Sequence, residues 1–289
     1  MWFSFLGILL CSIAALLVYA HRATYRPHVK QLTIPIRKQT AAIDDTRRLN
    51  ILHLSDLHME KISISPEKLY QQIHQQPVDL IALTGDYLDK PESLEKLKSY
   101  LSVLKTLNPS LGIYAVLGNH DYVLKGEDFV RLVRLFEEMD IELLRNENRR
   151  ITCGEHVLSV VGIDDAFSGH DDVEQAFRGV HADDIRLVLS HDPHIIFKME
   201  HFPHDYLLSG HFHGGQIHWP KAFHLKRMGP LPQLDIIKGL HYYRERPFYI
   251  SEGLGQTGIN IRLRSRPEIT FHQLLGIDVC PAASRDNLK

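Results

Sequence analysis

The chain has 289 residues, a formal net charge of -2 and 44% hydrophobic residues, which suits one large globular domain or two small ones. This charge balance leaves no broad cationic surface, so we expect no nucleic-acid partner. The three cysteines, Cys11, Cys153 and Cys280, are too far apart to suggest a disulfide framework or a thiolate zinc site. Histidine is abundant, at 19 residues, and it is the commonest metal-binding side chain.

An uncharged apolar run extends from Trp2 to Ala20. As a helix it would be about 28 Å long, enough for one crossing of a bilayer. A cleaved signal peptide is the alternative, with a small-residue cleavage site at 18–20. Because no basic side chain precedes the run, we favour a retained transmembrane anchor over residues 1–20.

Basic residues follow this run, at Arg22, Arg26, Lys30, Arg37 and Lys38. The positive-inside tendency therefore predicts a single-pass protein of the cell membrane with its main domain in the cytoplasm. An exported domain with a basic juxtamembrane stretch remains the alternative.

The rest of the chain alternates short apolar runs with amphipathic stretches. We predict a tether over 21–48, a folded domain over 49–275 and a loosely ordered tail over 276–289. Runs rich in Leu, Ile and Val predict strands at 49–55, 78–85, 112–119, 156–163, 185–191 and 204–211. Apolar residues at three- and four-residue spacing, or an N-capping serine and proline, predict helices at 65–76, 91–107 and 126–140. This order predicts an α/β sandwich with sheet inside and helices outside.

Polar side chains able to bind a cation stand at the ends of five predicted strands. Ligands in α/β folds collect where strands reach their carboxyl ends, so we expect these side chains to converge. They are Asp56 and His58, then Asp86, then Asn119 with His120 and Asp121, then His191, and finally His211 and His213.

A glycine directly precedes Asp86, Asn119 and His211. The absence of a side chain at those positions would let the backbone approach a crowded centre. Residues two apart in an extended segment point to one side, so His211 and His213 are expected to face the cavity while Phe212 turns into the core.

The number and kind of donors predict two metal ions rather than one. Seven donors are too many for one tetrahedral ion, and we expect Asp86, alone at its strand end, to bridge two. Oxygen and imidazole donors without thiolate favour Mn²⁺, with Fe or Zn²⁺ as alternatives. The seven predicted ligands are Asp56, His58, Asp86, Asn119, His191, His211 and His213.

His120 is the remaining polar residue in the group. Two ions about 3.5–4 Å apart can bind a hydroxide and hold a phosphoryl oxygen for in-line displacement. We therefore predict that His120 acts as general acid or donates to a phosphoryl oxygen, with Asp121 as a candidate to orient its ring.

The motifs "DLH", "GDY", "GNHD", "SHDP" and "GHFH" lie in this order between residues 50 and 271. Together they resemble the calcineurin-like metallophosphoesterase superfamily. The resemblance implies a four-layer α-β-β-α sandwich with a dinuclear centre, and it implies a catalytic role for His120. One ion would be held by Asp56, His58, Asp86 and His213, and the other by Asp86, Asn119, His191 and His211.

The N-terminal run, "GHFHGGQI" and "GLGQTGINIRLRSRPEIT" resemble a bacterial membrane-associated branch of this superfamily. That branch includes phosphodiesterases and UDP-2,3-diacylglucosamine hydrolases. It implies hydrolysis of a phosphodiester or pyrophosphate bond, in a lipid-linked or nucleotide substrate. A phosphomonoesterase and a catalytically silent metal-binding scaffold are the alternatives. Purple acid phosphatases carry a tyrosine three residues after the bridging aspartate, where this chain has Asp89.

Two further stretches could contact substrate. Residues 219–247 are apolar, basic and proline-containing, and they are either a lip over the site or a surface loop. Arg262, Arg264 and Arg266 either meet substrate phosphates or lie on a solvated edge strand, which we favour.

Overall fold

A computed structural model describes residues 2–36, 48–153 and 156–277 of the chain. Its strands are β1 (His28–Pro35), β2 (Arg48–Leu54), β3 (Leu80–Thr84), β4 (Ile113–Val116), β5 (Glu142–Leu143), β6 (Glu147–Cys153), β7 (His156–Gly162), β8 (Ile185–Leu189), β9 (Tyr206–Ser209), β10 (Gly239–Tyr243), β11 (Arg246–Ile250) and β12 (Glu268–Leu275). Its α-helices are α1 (Trp2–Ala23), α2 (Pro66–Ile73), α3 (Leu94–Lys105), α4 (Glu127–Glu138), α5 (Val173–Ala176), α6 (Ile195–Lys198) and α7 (Pro230–Gln233). Short 3₁₀ helices cover Pro91–Ser93, Asp121–Val123, His213–Gly215 and Phe223–Met228.

The strands form two six-stranded sheets. The first has the order β1-β12-β2-β3-β4-β5, and the second has the order β10-β11-β9-β8-β7-β6. Strands β2, β3 and β4 run parallel in the first sheet, and β7, β8, β9 and β11 run parallel in the second. Each sheet therefore collects the carboxyl ends of its parallel strands along one edge.

Three clusters of buried apolar side chains join four layers. The first cluster packs α2, α3 and α4 against the first sheet. In it, Leu69, Leu101 and Phe136 of the helices share a core with Leu83 of β3. The second cluster lies between the sheets, and the third covers the other sheet with α5, α6 and α7. The predicted α-β-β-α sandwich is thus confirmed. The apolar N-terminal run is helical, and α1 is long and apolar enough to cross a membrane.

Part of the predicted tether belongs to the sheet. Residues His28–Pro35 form β1, which pairs in parallel with β12. Lys30 of this strand forms ion pairs with Glu252 and the fully buried Glu268. The basic residues of this stretch suggested a juxtamembrane tether, whereas Lys30 is part of the folded domain. Residues 37–47, and the part of the predicted tail at 278–289 with Cys280, lie outside the described residues; Cys11 and Cys153 are free.

The three predicted helices and six predicted strands are confirmed as α2, α3 and α4 and as β2, β3, β4, β7, β8 and β9. Helix α2 begins as its sequence predicts, since the Ser65 side chain accepts a hydrogen bond from the Lys68 backbone N–H at 3.3 Å. Helix α3 begins later than predicted because Pro91–Ser93 forms a separate 3₁₀ turn.

Two buried histidines outside the strand-end cluster give the fold a predictable sensitivity to acid. Burial lowers the pKa of His53 to about 3 and, with Arg246 and Arg186 nearby, lowers the pKa of His204 to about 4. A histidine with a depressed folded-state pKa contributes stability above its unfolded pKa of about 6.5, and that stability is lost as the pH falls toward the folded-state pKa.

At pH 4.5 each of these histidines is protonated more readily in the unfolded chain than in the folded one. We expect this difference to lower the free energy of unfolding by about 2–3 kcal/mol for each histidine. Urea unfolding of the full chain in non-ionic detergent with EDTA, at pH 7.5 and 4.5, would measure this loss. In the His204→Leu variant the loss between the two pH values should be about 2 kcal/mol smaller than in the unmodified chain. An equal loss in both proteins would show that His204 is protonated in the folded state without cost.

Candidate metal centre

The ends of β2, β3, β4, β8 and β9 bring the sequence-predicted residues together. Asp86, which follows β3, lies at the middle of the group. Its Oδ2 atom is 3.1 Å from His191 Nε2, after β8, and 3.5 Å from His58 Nε2, after β2. His213 Nε2, after β9, is 3.3 Å from Asp56 Oδ1. Side chains from both sheets therefore meet at a single buried point.

The predicted ligands supply two sets of donor atoms that share one carboxylate, and His58, Asp89 and His120 form a separate third set. In each set all donor atoms lie within 4.8 Å of one another. Asp86 belongs to both sets, which is the geometry a bridging ligand requires. The first set is Asp56, His58, Asp86 and His213, and the second is Asp86, His191 and His211. Asn119 lines the same cavity as Asp86 and His211, and this position suits it to the second set.

The unsatisfied polar atoms of the cluster fit bound cations. His211 Nε2, His213 Nδ1 and Asn119 Oδ1 are buried and have no hydrogen-bond partner among the described residues. His58 Nε2 and His213 Nε2 face each other at 3.1 Å. Buried polar atoms are normally paired, and a bound cation would satisfy imidazole nitrogens that converge in this way. The oxygen and nitrogen donors suit divalent transition metals.

Left-handed backbone conformations aim most of these side chains. Such a conformation costs a non-glycine residue about 1–2 kcal/mol, so neighbouring structure must hold it in place. Positive φ angles occur at Asp56 (51°), His58 (39°), Asp86 (58°), His211 (76°) and His213 (50°).

The two histidines of the "HFH" motif converge for a different reason than the one predicted. They do not lie in an extended segment, because β9 ends at Ser209 and a turn and a 3₁₀ helix follow. Their positive φ angles, rather than the alternation of a strand, direct both rings into the site. Phe212 between them is buried in an apolar core cluster, as predicted.

Two glycines make the close approach possible. A methyl group at Gly210 would overlap the Ser55 hydroxyl and the Asp56 carboxylate. One at Gly118 would overlap the Asp86 carboxylate. The steric argument made from the sequence therefore holds at both positions.

Electrostatics keep Asp86 ionised. Burial opposes its ionisation, but the His191 and His58 imidazoles hold its pKa well below the usual range. Burial raises the pKa of Asp56, where the neighbouring His191 counteracts it only in part. Hydrogen bonding also selects the tautomer of His191, whose Nδ1 donates to the Thr84 carbonyl at 2.7 Å. With Nδ1 occupied in this way, Nε2 is the His191 nitrogen that faces Asp86 and that would bind a metal ion.

His120 is oriented by Asp89, and not by Asp121. His120 Nδ1 donates to Asp89 Oδ1 at 2.6 Å. Asp121 is buried and accepts hydrogen bonds from the backbone N–H groups of Asp86, Tyr87 and Gly118, so it shapes the loops instead. Burial alone would lower the pKa of His120, but Asp89 and Asp86 together raise it to about 9.

The sequence signal for Asp89 is its spacing from the predicted bridging residue Asp86. Asp89 follows Asp86 by three residues, on a loop whose backbone at Asp89 and Lys90 donates to Glu60. Purple acid phosphatases have a tyrosine at this position, whereas the aspartate of this chain pairs with His120, a pairing that the sequence pattern alone does not predict.

Neither predicted role for the arginines of "IRLRSR" holds at Arg262. This side chain is fully buried and lies on no named strand. It donates hydrogen bonds to the carbonyls of His213, Glu252, Gly253 and Gly255 and to the Ser265 hydroxyl. Burial lowers its pKa to about 10, so it stays cationic at neutral pH. Arg262 thus fixes the backbone that carries a candidate ligand, His213.

We expect Arg262→Met to lower the unfolding free energy by about 3–5 kcal/mol, because it leaves the Glu252 and Gly255 carbonyls without their donor. Metal affinity should also fall, since the His213 carbonyl loses one of its three hydrogen bonds. Urea unfolding and metal titration of the full chain would measure both effects. Arg264→Met is the matched control, because Arg264 is exposed and should change stability by about 0.5 kcal/mol or less. Equal effects of the two substitutions would contradict this role.

A cavity of about 340 Å³ opens over the cluster. The segment predicted as a lip or a loop supplies part of its wall through His224, Leu225 and Met228, and Phe167 adds another part. That segment is more regular than predicted, since it contains the 3₁₀ helix Phe223–Met228, α7, β10 and the start of β11.

Comparison with known proteins agrees with this geometry. The family model described as calcineurin-like phosphoesterase matches residues 49–215. The chain is 54% identical over 246 residues to the uncharacterized metallophosphoesterase YkoQ of Bacillus subtilis, covering 85% of this chain and 90% of YkoQ. It is 30% identical over 235 residues to phosphodiesterase YaeI of Escherichia coli (80% and 84% covered). It is 27% identical over 282 residues to the UDP-2,3-diacylglucosamine pyrophosphatase LpxG of Chlamydia muridarum (78% and 84% covered).

A solved structure shares the fold at low sequence identity. The phosphopantetheinyl hydrolase PptH of Mycobacterium tuberculosis matches with a TM-score of 0.50 and 12% identity, covering 71% of this chain and 90% of that one. The family model covers more than half of the sequence, and two candidate donor sets share Asp86. The chain therefore belongs to the calcineurin-like phosphoesterase family and is a phosphoric ester hydrolase.

Proposed function

We propose that this chain hydrolyses a phosphodiester or pyrophosphate bond with two divalent metal ions, Mn²⁺ foremost. The observation that carries the proposal is the sharing of Asp86 between two buried donor sets at the floor of a cavity. Asp56, His58, Asp86 and His213 would hold one ion. Asp86, Asn119, His191 and His211 would hold the other.

Two ions in such a site would polarise a phosphoryl oxygen and supply a nucleophilic hydroxide at neutral pH. His120 lines the same cavity and holds a proton on Nδ1 for Asp89, so its Nε2 is the nitrogen that can donate a proton to a leaving-group oxygen. Asp89 orients the His120 ring and stabilises its cationic form.

The cavity wall supports a substrate with an apolar part. Phe167, Leu225 and Met228 line it beside the polar floor. One relative is named a pyrophosphatase of UDP-2,3-diacylglucosamine and another a phosphodiesterase, which supports a lipid-linked or nucleotide substrate at the membrane. A phosphomonoester is the second candidate, because His120 could equally protonate the leaving group of a monoester.

Helix α1 would anchor the protein in the cell membrane as a single span, with the domain in the cytoplasm. Its length and apolar composition support the anchor. The positive charges of Arg22 and Arg26 support this orientation. Lys30 supports it less, because it forms an ion pair with Glu268 inside the domain.

A substrate screen tests the proposal. The full chain in non-ionic detergent would be loaded with Mn²⁺ or Zn²⁺ and assayed on a bis-aryl phosphodiester, an aryl phosphomonoester and a nucleoside diphosphate lipid. Hydrolysis of the diester or the diphosphate lipid in preference to the monoester is the expected result. Preference for the monoester would favour the second candidate. Metal binding without turnover on all three substrates would indicate a silent scaffold.

The apolar wall gives a prediction about substrate choice. Phe167→Ser should raise KM for the diphosphate lipid about tenfold, since burying a large aromatic side chain against an apolar group contributes roughly 1.5–3 kcal/mol. KM for the small diester should change little. Phe223→Ser is the matched control, because both rings are 54% exposed and Phe223 is not among the residues lining the cavity. An equal change of KM for both substrates would count against a lipid-binding wall.

A further inference from the structure

A second cavity lies at the junction of α1 with the folded domain. It has a volume of about 520 Å³, and none of its lining residues lines the cavity over the metal centre. Ala15, Val18 and Tyr19 form one part of its lining and Arg22, Arg26 and Arg266 another.

The helical repeat explains why this cavity is half apolar and half cationic. Val18, Arg22 and Arg26 follow one another at four-residue intervals, so they continue along one side of α1 and the turn after it. Val18 and Tyr19 are 50% and 65% exposed although they are apolar or aromatic. An exposed apolar strip that ends in arginines suits the boundary between acyl chains and headgroups.

The third arginine comes from the domain and is held in place. Arg266 Nε donates to the Arg26 carbonyl at 2.9 Å, and its Nη2 donates to the Pro27 carbonyl at 3.2 Å. In residues 2–36, 48–153 and 156–277, no carboxylate forms an ion pair with Arg22, Arg26 or Arg266. Three guanidinium groups that have no acidic partner in the described part of the chain therefore line one opening.

The end of α1 is attached to the domain, so the cavity has a defined shape. The Arg262 backbone N–H donates to the Ala20 carbonyl at 2.9 Å, and His21 Nδ1 is 2.8 Å from the Asn260 carbonyl oxygen. Thr24 Oγ1 donates to Ser63 Oγ at 2.8 Å. These bonds fix the arginines of α1 relative to Arg266.

We propose that this cavity binds the phosphate of an anionic glycerophospholipid, with the acyl chains lying along Val18 and Tyr19. Guanidinium groups bind phosphate oxygens in bidentate fashion, and basic side chains at the membrane surface attract anionic lipid. The inference rests on α1 lying in a membrane and is independent of the hydrolytic activity. A bound lipid would set the orientation of the domain on the bilayer, because the cavity joins Arg22 of α1 to Arg266 of the folded domain.

Native mass spectrometry of the full chain released from non-ionic detergent tests the site. Dioleoyl phosphatidylglycerol is the probe, and dioleoyl phosphatidylcholine, glycerophosphoglycerol and inorganic phosphate are the comparisons. We expect one phosphatidylglycerol per chain, bound about tenfold more tightly than phosphatidylcholine. Equal retention of the two lipids would overturn the proposal, and so would displacement of phosphatidylglycerol by equimolar inorganic phosphate, which would indicate a site for a free anion.

The double variant Arg22→Gln/Arg26→Gln should bind phosphatidylglycerol about ten- to thirtyfold more weakly, since each basic residue contributes about 1 kcal/mol at such a surface. Arg134→Gln/Arg178→Gln removes the same charge from exposed positions outside the cavity and should leave the affinity within about twofold. Both double variants should hydrolyse a soluble diester at the unmodified rate, which separates this site from the proposed function. Unchanged lipid binding in the first variant, or equal loss in the two, would refute the site.

Discussion

Replacing Asp86 with alanine should remove both metal ions and lower turnover by about 10³-fold or more. The carboxylate of Asp86 is the only group common to both donor sets. Bound metal ions are worth several kcal/mol of transition-state stabilisation, and such an energy corresponds to a loss of this size. Elemental analysis of the purified full chain and single-turnover assays on a bis-aryl phosphodiester would measure the two effects.

Asp184→Ala is the matched control for Asp86→Ala. Asp184 is equally buried, but it pairs with Arg150 at 2.7 Å and with the Ser159 hydroxyl, away from the metal centre. Its loss should lower stability and leave both ions in place. Retention of two ions by the Asp86→Ala protein would disprove the bridge. Retention of one ion would show that the two donor sets are filled independently.

The layers of the fold could be predicted from local sequence because their strands are strongly apolar. β3 and β8 read as short Leu, Ile and Val runs, and both lie in the interior. β1 could not be predicted in this way. Its partner β12 is about 240 residues away along the chain, and the charge of Lys30 in β1 is compensated by an ion pair with Glu268 of β12. No local pattern therefore marks β1 as a strand.

The candidate metal residues could be predicted as a group because each follows a strand, and strand order places those ends at one edge. The means by which the chain aims them could not be predicted. The positive φ of His211 and His213 depends on the packing of Gly210 against Ser55 and on the Arg262 bond to the His213 carbonyl. Those contacts join segments that are far apart in the sequence.

The role of Arg262 also depends on contacts that the local sequence does not reveal. Three arginines in "RLRSR" resemble a phosphate-binding or solvated stretch, since charged side chains are rarely fully buried. Arg262 can be buried because it donates hydrogen bonds to the carbonyls of residues 213, 252, 253 and 255, which surround it in the fold. Arg264, by contrast, is exposed and lies over the Trp219 ring at 5.7 Å.

The second large effect concerns His120. We expect His120→Ala to retain both ions and to slow the chemical step by about 10²–10⁴-fold, the usual contribution of a general acid. The loss should be largest for a diester with a poor leaving group, such as an alkoxide, because that oxygen needs a proton as the P–O bond breaks. A substrate with a p-nitrophenolate leaving group should lose far less. Equal losses on the two substrates would mean that His120 acts on the phosphoryl group rather than on the leaving group.

Asp89→Asn separates the orientation of His120 from its chemistry. The amide can still accept the 2.6 Å hydrogen bond from His120 Nδ1, but it lacks the charge that helps to raise the pKa of His120. We expect a smaller loss of about tenfold, with the same dependence on leaving group as His120→Ala. The double variant should be no slower than His120→Ala alone, because Asp89 acts through the ring. If the two losses multiply instead, Asp89 contacts the substrate or a metal ion directly, and its partially exposed carboxylate would then belong to the binding site itself.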